Sequence, residues 1–130
     1  MLNRKIRVLI VDDDVQIRLL LCAVLEQCGY LVCPAKDGFA ALEAMRAESP
    51  DVVLSDLHMS GMSGFELLPI VRQQFPTTRV VAMSSAFAGD DVPAGVAADA
   101  FYPKATDIFD LLQIIEAMAR FDGSRSALPN

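Results

Sequence analysis

The chain has 130 residues, the size of one ordinary domain, and 53% of them are hydrophobic, enough for one substantial core. Its net charge of −6 argues against a basic footprint for nucleic acid or for an anionic membrane surface. Three cysteines (Cys22, Cys28 and Cys33) without a Cys-x-x-Cys pair disfavour a disulfide scaffold or a zinc site and predict reduced, buried thiols.

Ile6 to Val11 is a β-branched run that ends in acids, the pattern of a strand buried on both faces. Val15 to Cys28 follows with Ile17, Leu20, Leu21, Val24, Leu25 and Cys28 at helical spacing, Asp14 as candidate N-cap and Gly29 just past the end. The run Leu19 to Leu25 is the longest unbroken apolar stretch and is far too short to cross a bilayer. With no signal-peptide pattern at the N-terminus, a cytoplasmic protein is expected.

Tyr30 to Ala35 reads as a second strand. Asp37-Gly38 opens a helix through roughly Glu48 with Ala41, Leu42 and Met45 inward, and Ser49-Pro50 stops it. Asp51 to Ser55 is a third strand, ending at Asp56. His58 to Gly64 holds Ser60-Gly61 and Ser63-Gly64, so it predicts a loop. Phe65 to Phe75 is a helix in which Pro69 removes a hydrogen bond and tends to kink the axis. Arg79 to Ser84 is a fourth strand and Asp99 to Tyr102 a brief fifth. Between them, residues 86–98 carry Gly89, Pro93 and Gly95 and predict at most a short helix. Thr106 or Asp107 caps a last helix with Leu111, Leu112, Ile115 and Met118 on its apolar side. Residues 122–130 predict a loose tail behind a domain of residues 1–121.

Five strands alternating with helices imply an α/β fold: a doubly wound, five-stranded parallel sheet with helices on both faces. In strand order 2-1-3-4-5, Asp12-Asp13, Asp56, Ser84 and Lys104 all stand at strand C-termini around one crevice. Three carboxylates brought together raise at least one pKa unless a cation joins them. Mg²⁺ with oxygen ligands is the natural partner. An ionised aspartate beside it can attack a phosphoryl group and form an acyl phosphate, with a lysine and a serine neutralising phosphoryl oxygens.

Four segments carry a resemblance to a known family: Val8-Leu-Ile-Val-Asp-Asp-Asp14, Asp51-Val-Val-Leu-Ser-Asp-Leu-His-Met-Ser-Gly-Met-Ser-Gly64, Val80-Val-Ala-Met-Ser84 and Phe101-Tyr-Pro-Lys104. Over roughly residues 6 to 121 the chain resembles the receiver domains of response regulators, whose fold is flavodoxin-like. The resemblance implies that Asp56 is the phospho-acceptor, Asp13 a direct Mg²⁺ ligand and Asp12 a ligand through water. It also implies a backbone carbonyl ligand at His58, a phosphoryl-contacting hydroxyl on Ser84, its ion-pair partner in Lys104, and an aromatic switch at Phe101. A histidine kinase or phosphotransfer protein is the implied donor, and the implied output surface for a downstream protein target lies around the fourth helix, fifth strand and fifth helix. No nucleic-acid or membrane contact is implied for this domain, and a homodimer is compatible with the resemblance.

Two family prolines are replaced. The one four residues after the acceptor is Ser60, which leaves the loop less constrained. The one after the lysine is Ala105, for which a cis bond would be costly. Two other classes compete with the phospho-acceptor reading. A haloacid-dehalogenase-like phosphatase would need Asp-x-Asp-x-Thr/Val after the first strand; Asp12-Asp-Asp-Val-Gln16 fails at Gln16, and Asp90-Asp91 is its candidate second acidic pair. The third class is a receiver-shaped adaptor that is never phosphorylated.

Overall fold

The computed structural model describes residues 4–85, 95–104 and 106–120. Their order along the chain is β1 (Arg7–Val11), α1 (Val15–Gln27), β2 (Leu31–Ala35), α2 (Gly38–Ala47), β3 (Val52–Asp56), α3 (Gly64–Gln74), β4 (Arg79–Ser84), β5 (Ala100–Pro103) and α4 (Ile108–Arg120). The strands form one five-stranded parallel sheet in the order β2-β1-β3-β4-β5, as the sequence pattern implies.

Successive strand residues feed two separate cores. Leu9, Val11, Val53, Val80, Ala82 and Phe101 pack with α2 and α3 on one face. Val8, Ile10, Val52, Leu54, Val81, Met83 and Tyr102 pack with α1 and α4 on the other. This is why β1, β3 and β4 show continuous apolar runs rather than alternation. Burying one such leucine or valine is worth about 1.5–3 kcal/mol.

The helix ends follow their local chemistry. The Asp14 carboxylate accepts from the N–H groups of Gln16 and Ile17 at 2.9 and 3.2 Å, and Gly29 at φ 95° leads the chain out of α1. Asp37 accepts from Ala40 N–H at 2.8 Å. At α3, Ser63 and Glu66 form a reciprocal capping box. Helix α3 continues through Pro69, which lies on the exposed side where water can solvate the carbonyl one turn back. Asp107 rather than Thr106 caps the last helix, accepting from Phe109 N–H at 2.9 Å; Thr106 turns its hydroxyl back to the Pro103 carbonyl.

Three expectations need correction. In α1 the buried residues are Leu21 and Leu25, one turn apart, whereas Leu20 is exposed. The helix leans on the sheet by a narrow stripe, with Ile17 and Cys22 partly buried beside it, while Val15, Leu19 and Leu20 look outward. The cysteines are free, but Cys28 and Cys33 are exposed and Cys22 is half-buried, because α1 ends and β2 runs at the margin of the sheet. Four strands start one residue later than expected, β1 at Arg7, β2 at Leu31, β3 at Val52 and β5 at Ala100, while β4 keeps its expected bounds. Residues 86–94, with most of the weak helical stretch and Asp90-Asp91, lie outside the described residues, as do Ala105 and the tail.

Two aspartates tie the lower end of the sheet. Asp51, just before β3, accepts from Arg7 N–H at 2.8 Å and holds Arg4 by two bonds of 2.7 and 3.0 Å. Asp99, just before β5, accepts from Val80 N–H at 2.8 Å and pairs with Arg72 at 3.1 Å. Each acid fastens the start of a neighbouring strand, which fixes register from the end of the sheet opposite the strand C-termini. At the β2 edge, Leu31 N–H bonds the Ile6 carbonyl and the Ala35 carbonyl accepts from Asp12 N–H. By alternation Val32 and Pro34 face outward, and Pro34 has no N–H to offer.

Candidate functional site

The parallel order brings the C-termini of β1, β3, β4 and β5 to one rim, with α1 leaving toward one face and α3 toward the other. A crevice opens where the connections diverge. Asp12 stands there fully buried, directly after β1. Its Oδ1 accepts from Asp14 N–H at 2.9 Å, its Oδ2 from Lys104 Nζ at 2.9 Å, and its carbonyl from an Arg18 guanidinium nitrogen at 2.6 Å. Asp13, exposed beside it, has Oδ2 on the Ser60 N–H at 3.1 Å.

Asp56 closes β3 and is nearly buried. Its Oδ1 accepts from His58 N–H at 3.2 Å and its Oδ2 from Lys104 Nζ at 3.0 Å. Carboxylate oxygens of Asp12, Asp13 and Asp56 lie within 4.8 Å of one another. One ammonium therefore bridges two carboxylates, with a third alongside, and the cluster is formally short of positive charge.

Burial pushes the Asp56 carboxyl up from its usual value; the His58 N–H and Lys104 pull it down without cancelling that effect, and the Asp12 charge adds a smaller push upward. Crowding of carboxylates is thus the lesser cause, and desolvation the greater. Burial lowers Lys104, but its bonds to Asp12 and Asp56 outweigh this and hold the ammonium charged above the ordinary lysine range.

Of the residues singled out from sequence, Asp12, Asp13, Asp56 and Lys104 are brought together directly. Ser84 ends β4, fully buried, and its carbonyl accepts from Lys104 N–H at 2.9 Å, which sets where the lysine leaves β5. The His58 ring lies against Phe65, edge to face at 5.6 Å, so its imidazole packs on α3. Phe101 sits in the core on the α2–α3 face, 4% exposed.

Sequence reasoning missed three supports. Arg18 clamps the Asp12 backbone, and Ser60 reaches Asp13; neither contact has a local signal. Gly64 is packed so closely that a Cβ there would overlap the Asp56 carbonyl oxygen. For this last one the spacing Ser63-x-x-Glu66 was available, since a helix start at that place puts its first residue under β3.

A family model for the response regulator receiver domain matches residues 8–116. The chain belongs to this family. Its receiver domain is 36% identical over 118 residues to the DNA-binding transcriptional regulator NtrC of Proteus hauseri, covering 87% of this chain and 24% of that protein. The chain thus spans about a quarter of the length of such relatives. It is 40% identical over 85 residues to sporulation initiation phosphotransferase F of Bacillus subtilis, covering 65% of this chain and 67% of that one.

Among solved structures, the response regulator TrrA of Thermotoga maritima, in complex with Mg(2+)-BeF, matches with a TM-score of 0.80 at 26% identity, over 87% of this chain and 98% of that one. The chemotaxis protein CheY4 of Vibrio cholerae gives 0.78 at 27% identity, over 88% and 99%. The receiver domain described here is therefore a phospho-accepting module of two-component signalling, with the fold of the chemotaxis regulators. Among the described residues no helix is long and apolar enough to cross a membrane.

Proposed function

We propose that Asp56 is the phospho-acceptor and takes its phosphoryl group from a phosphohistidine of a histidine kinase or phosphotransfer protein. The observation that carries this is the Lys104 ammonium shared between Asp56 and Asp12 beside a third carboxylate. An Asp56 carboxylate oxygen bonds to phosphorus as the donor's P–N bond breaks, and the imidazole nitrogen keeps the electron pair. Lys104 then pairs with a phosphoryl oxygen, and the Ser84 hydroxyl donates to another.

The donor set at the rim is all hard oxygen and carries more negative charge than Lys104 offsets, which suits Mg²⁺. Asp13 and Asp56 would hold it directly, Asp12 through water, and the His58 carbonyl would complete the protein ligands. Bound there, the ion neutralises charge on the transferring group. The Mg(2+)-BeF complex of the TrrA neighbour supports this choice. Movement of Ser84 toward the phosphoryl group and reorientation of Phe101 alter the surface of β5 and α4, where a downstream protein docks. Residues 1–121 form the acting unit in the cytoplasm, without nucleic-acid or membrane contact of its own.

Incubation with a small phosphodonor and Mg²⁺ should add one hydrolytically labile phosphoryl group, read by intact mass. Asp56→Asn should abolish it. Label that persists in that variant, or that resides on His58, overturns the assignment; steady turnover of phosphate esters would favour a phosphatase instead.

A further inference from the structure

The geometry points to the backbone N–H of Ser60 as a latch that positions Asp13 for the cation and fastens the β1–α1 turn to the β3–α3 loop. Ser60 donates to Asp13 Oδ2 at 3.1 Å across 47 residues of sequence. A carboxylate held at one oxygen presents the other in a fixed direction, and Asp13, exposed on a short turn, has less packing to restrain it than buried Asp12 or Asp56. Hydrogen bonds of this kind, to a group that itself ligates a metal, set ligand orientation and affinity.

The loop is shaped to aim this N–H. Gly61 follows at φ 74°, a conformation that other residues reach only under strain, and it turns the chain immediately after Ser60. Upstream, His58 N–H is already fixed on Asp56 Oδ1. The segment from 56 to 60 is thereby anchored to both acids, so a cation drawing on Asp13 and Asp56 meets a pre-formed arrangement. The serine hydroxyl plays no part in this; the backbone N–H does. A proline at position 60 would lack it.

This inference rests on the Mg²⁺ reading above, and its test separates the two. Mg²⁺ alone is titrated into the unphosphorylated chain and followed by backbone amide NMR. Ser60→Ala keeps the N–H and should bind like the unaltered chain; Ser60→Pro removes it and should bind about ten-fold more weakly. Equal affinity of the proline variant overturns the latch alone. Absence of Mg²⁺ binding by the unaltered chain overturns the latch and the metal reading together.

Hydrogen exchange gives a second readout that does not depend on the proline variant folding. The Ser60 amide should exchange faster in Asp13→Ala than in the unaltered chain, while the Glu66 amide, held by Ser63, stays unchanged. An unaltered Ser60 rate in Asp13→Ala would overturn the proposal.

Discussion

Lys104 Nζ lies 2.9 Å from Asp12 Oδ2, joining residues 92 positions apart at a point where Asp12 has no exposure to water. A buried carboxylate is tolerated there because this ammonium and the Asp14 N–H both face it. Lys104→Met should therefore cost about 2–4 kcal/mol in urea unfolding without Mg²⁺, since it leaves Asp12 and Asp56 without their shared cation. Added Mg²⁺ should recover more stability in Lys104→Met than in the unaltered chain. A cost below 0.5 kcal/mol would show that the bridge is not structural.

Asp56 should behave as a stability liability at neutral pH. Its folded pKa is raised, chiefly by burial, so its favourable contribution is present below the unfolded value of 3.8 and is lost as pH rises through the folded value. Asp56→Asn removes the charge in nearly the same shape. Without Mg²⁺ it should be the more stable protein at pH 7, by on the order of 1 kcal/mol. That advantage should shrink as pH falls through the raised Asp56 pKa. Chemical denaturation across this range checks the sign.

The opposite sign is expected at Asp51. Burial raises its carboxyl, but hydrogen bonds from Arg4 and the Arg7 N–H outweigh this and leave it below the usual 3.8. Its stabilising contribution is present above 3.8 and lost as pH falls through the lowered value. Asp51→Asn should cost about 1 kcal/mol at neutral pH: its amide oxygen can still accept from the Arg7 N–H but without the charge that strengthens the bond, and the pair with well-exposed Arg4 adds little. Below the lowered pKa the two proteins should converge.

Two glycines should respond unequally to alanine. Gly29 sits at φ 95° with open space around it, so Gly29→Ala should cost only the conformational strain, about 1 kcal/mol. At Gly64 the added methyl meets the Asp56 carbonyl oxygen and the Leu57 Cα, both backbone. Gly64→Ala should lose more than 2 kcal/mol and also slow phosphorylation, because α3 can only yield by displacing the end of β3. Thermal melts and a phosphorylation time course distinguish the pair.

The strands are legible because both faces of β1, β3 and β4 are covered, so Val8 to Val11, Val52 to Leu54 and Val80 to Met83 carry no polar interruption until the chemistry begins. Asp12, Asp56 and Lys104 then stand out as charges where apolar runs stop, and strand order converts those positions into neighbours. What is not legible is contact made by the main chain. Ser60 acts through its N–H and Gly64 through a missing atom, neither of which residue identity announces. Leu20 illustrates a different limit: helical spacing marks a broad apolar face, but how much of it meets the sheet depends on how the helix is seated at the margin.

Pro34 carries a consequence beyond its own strand. Among residues 31–35 the outward flank of β2 can donate through Val32 alone, and a chain laid alongside would find one hydrogen where a ladder needs a series. Templated growth is thus blunted on that side. Self-association of this receiver should be drawn to helical surfaces or to the opposite margin, so that pairing between copies stays reversible.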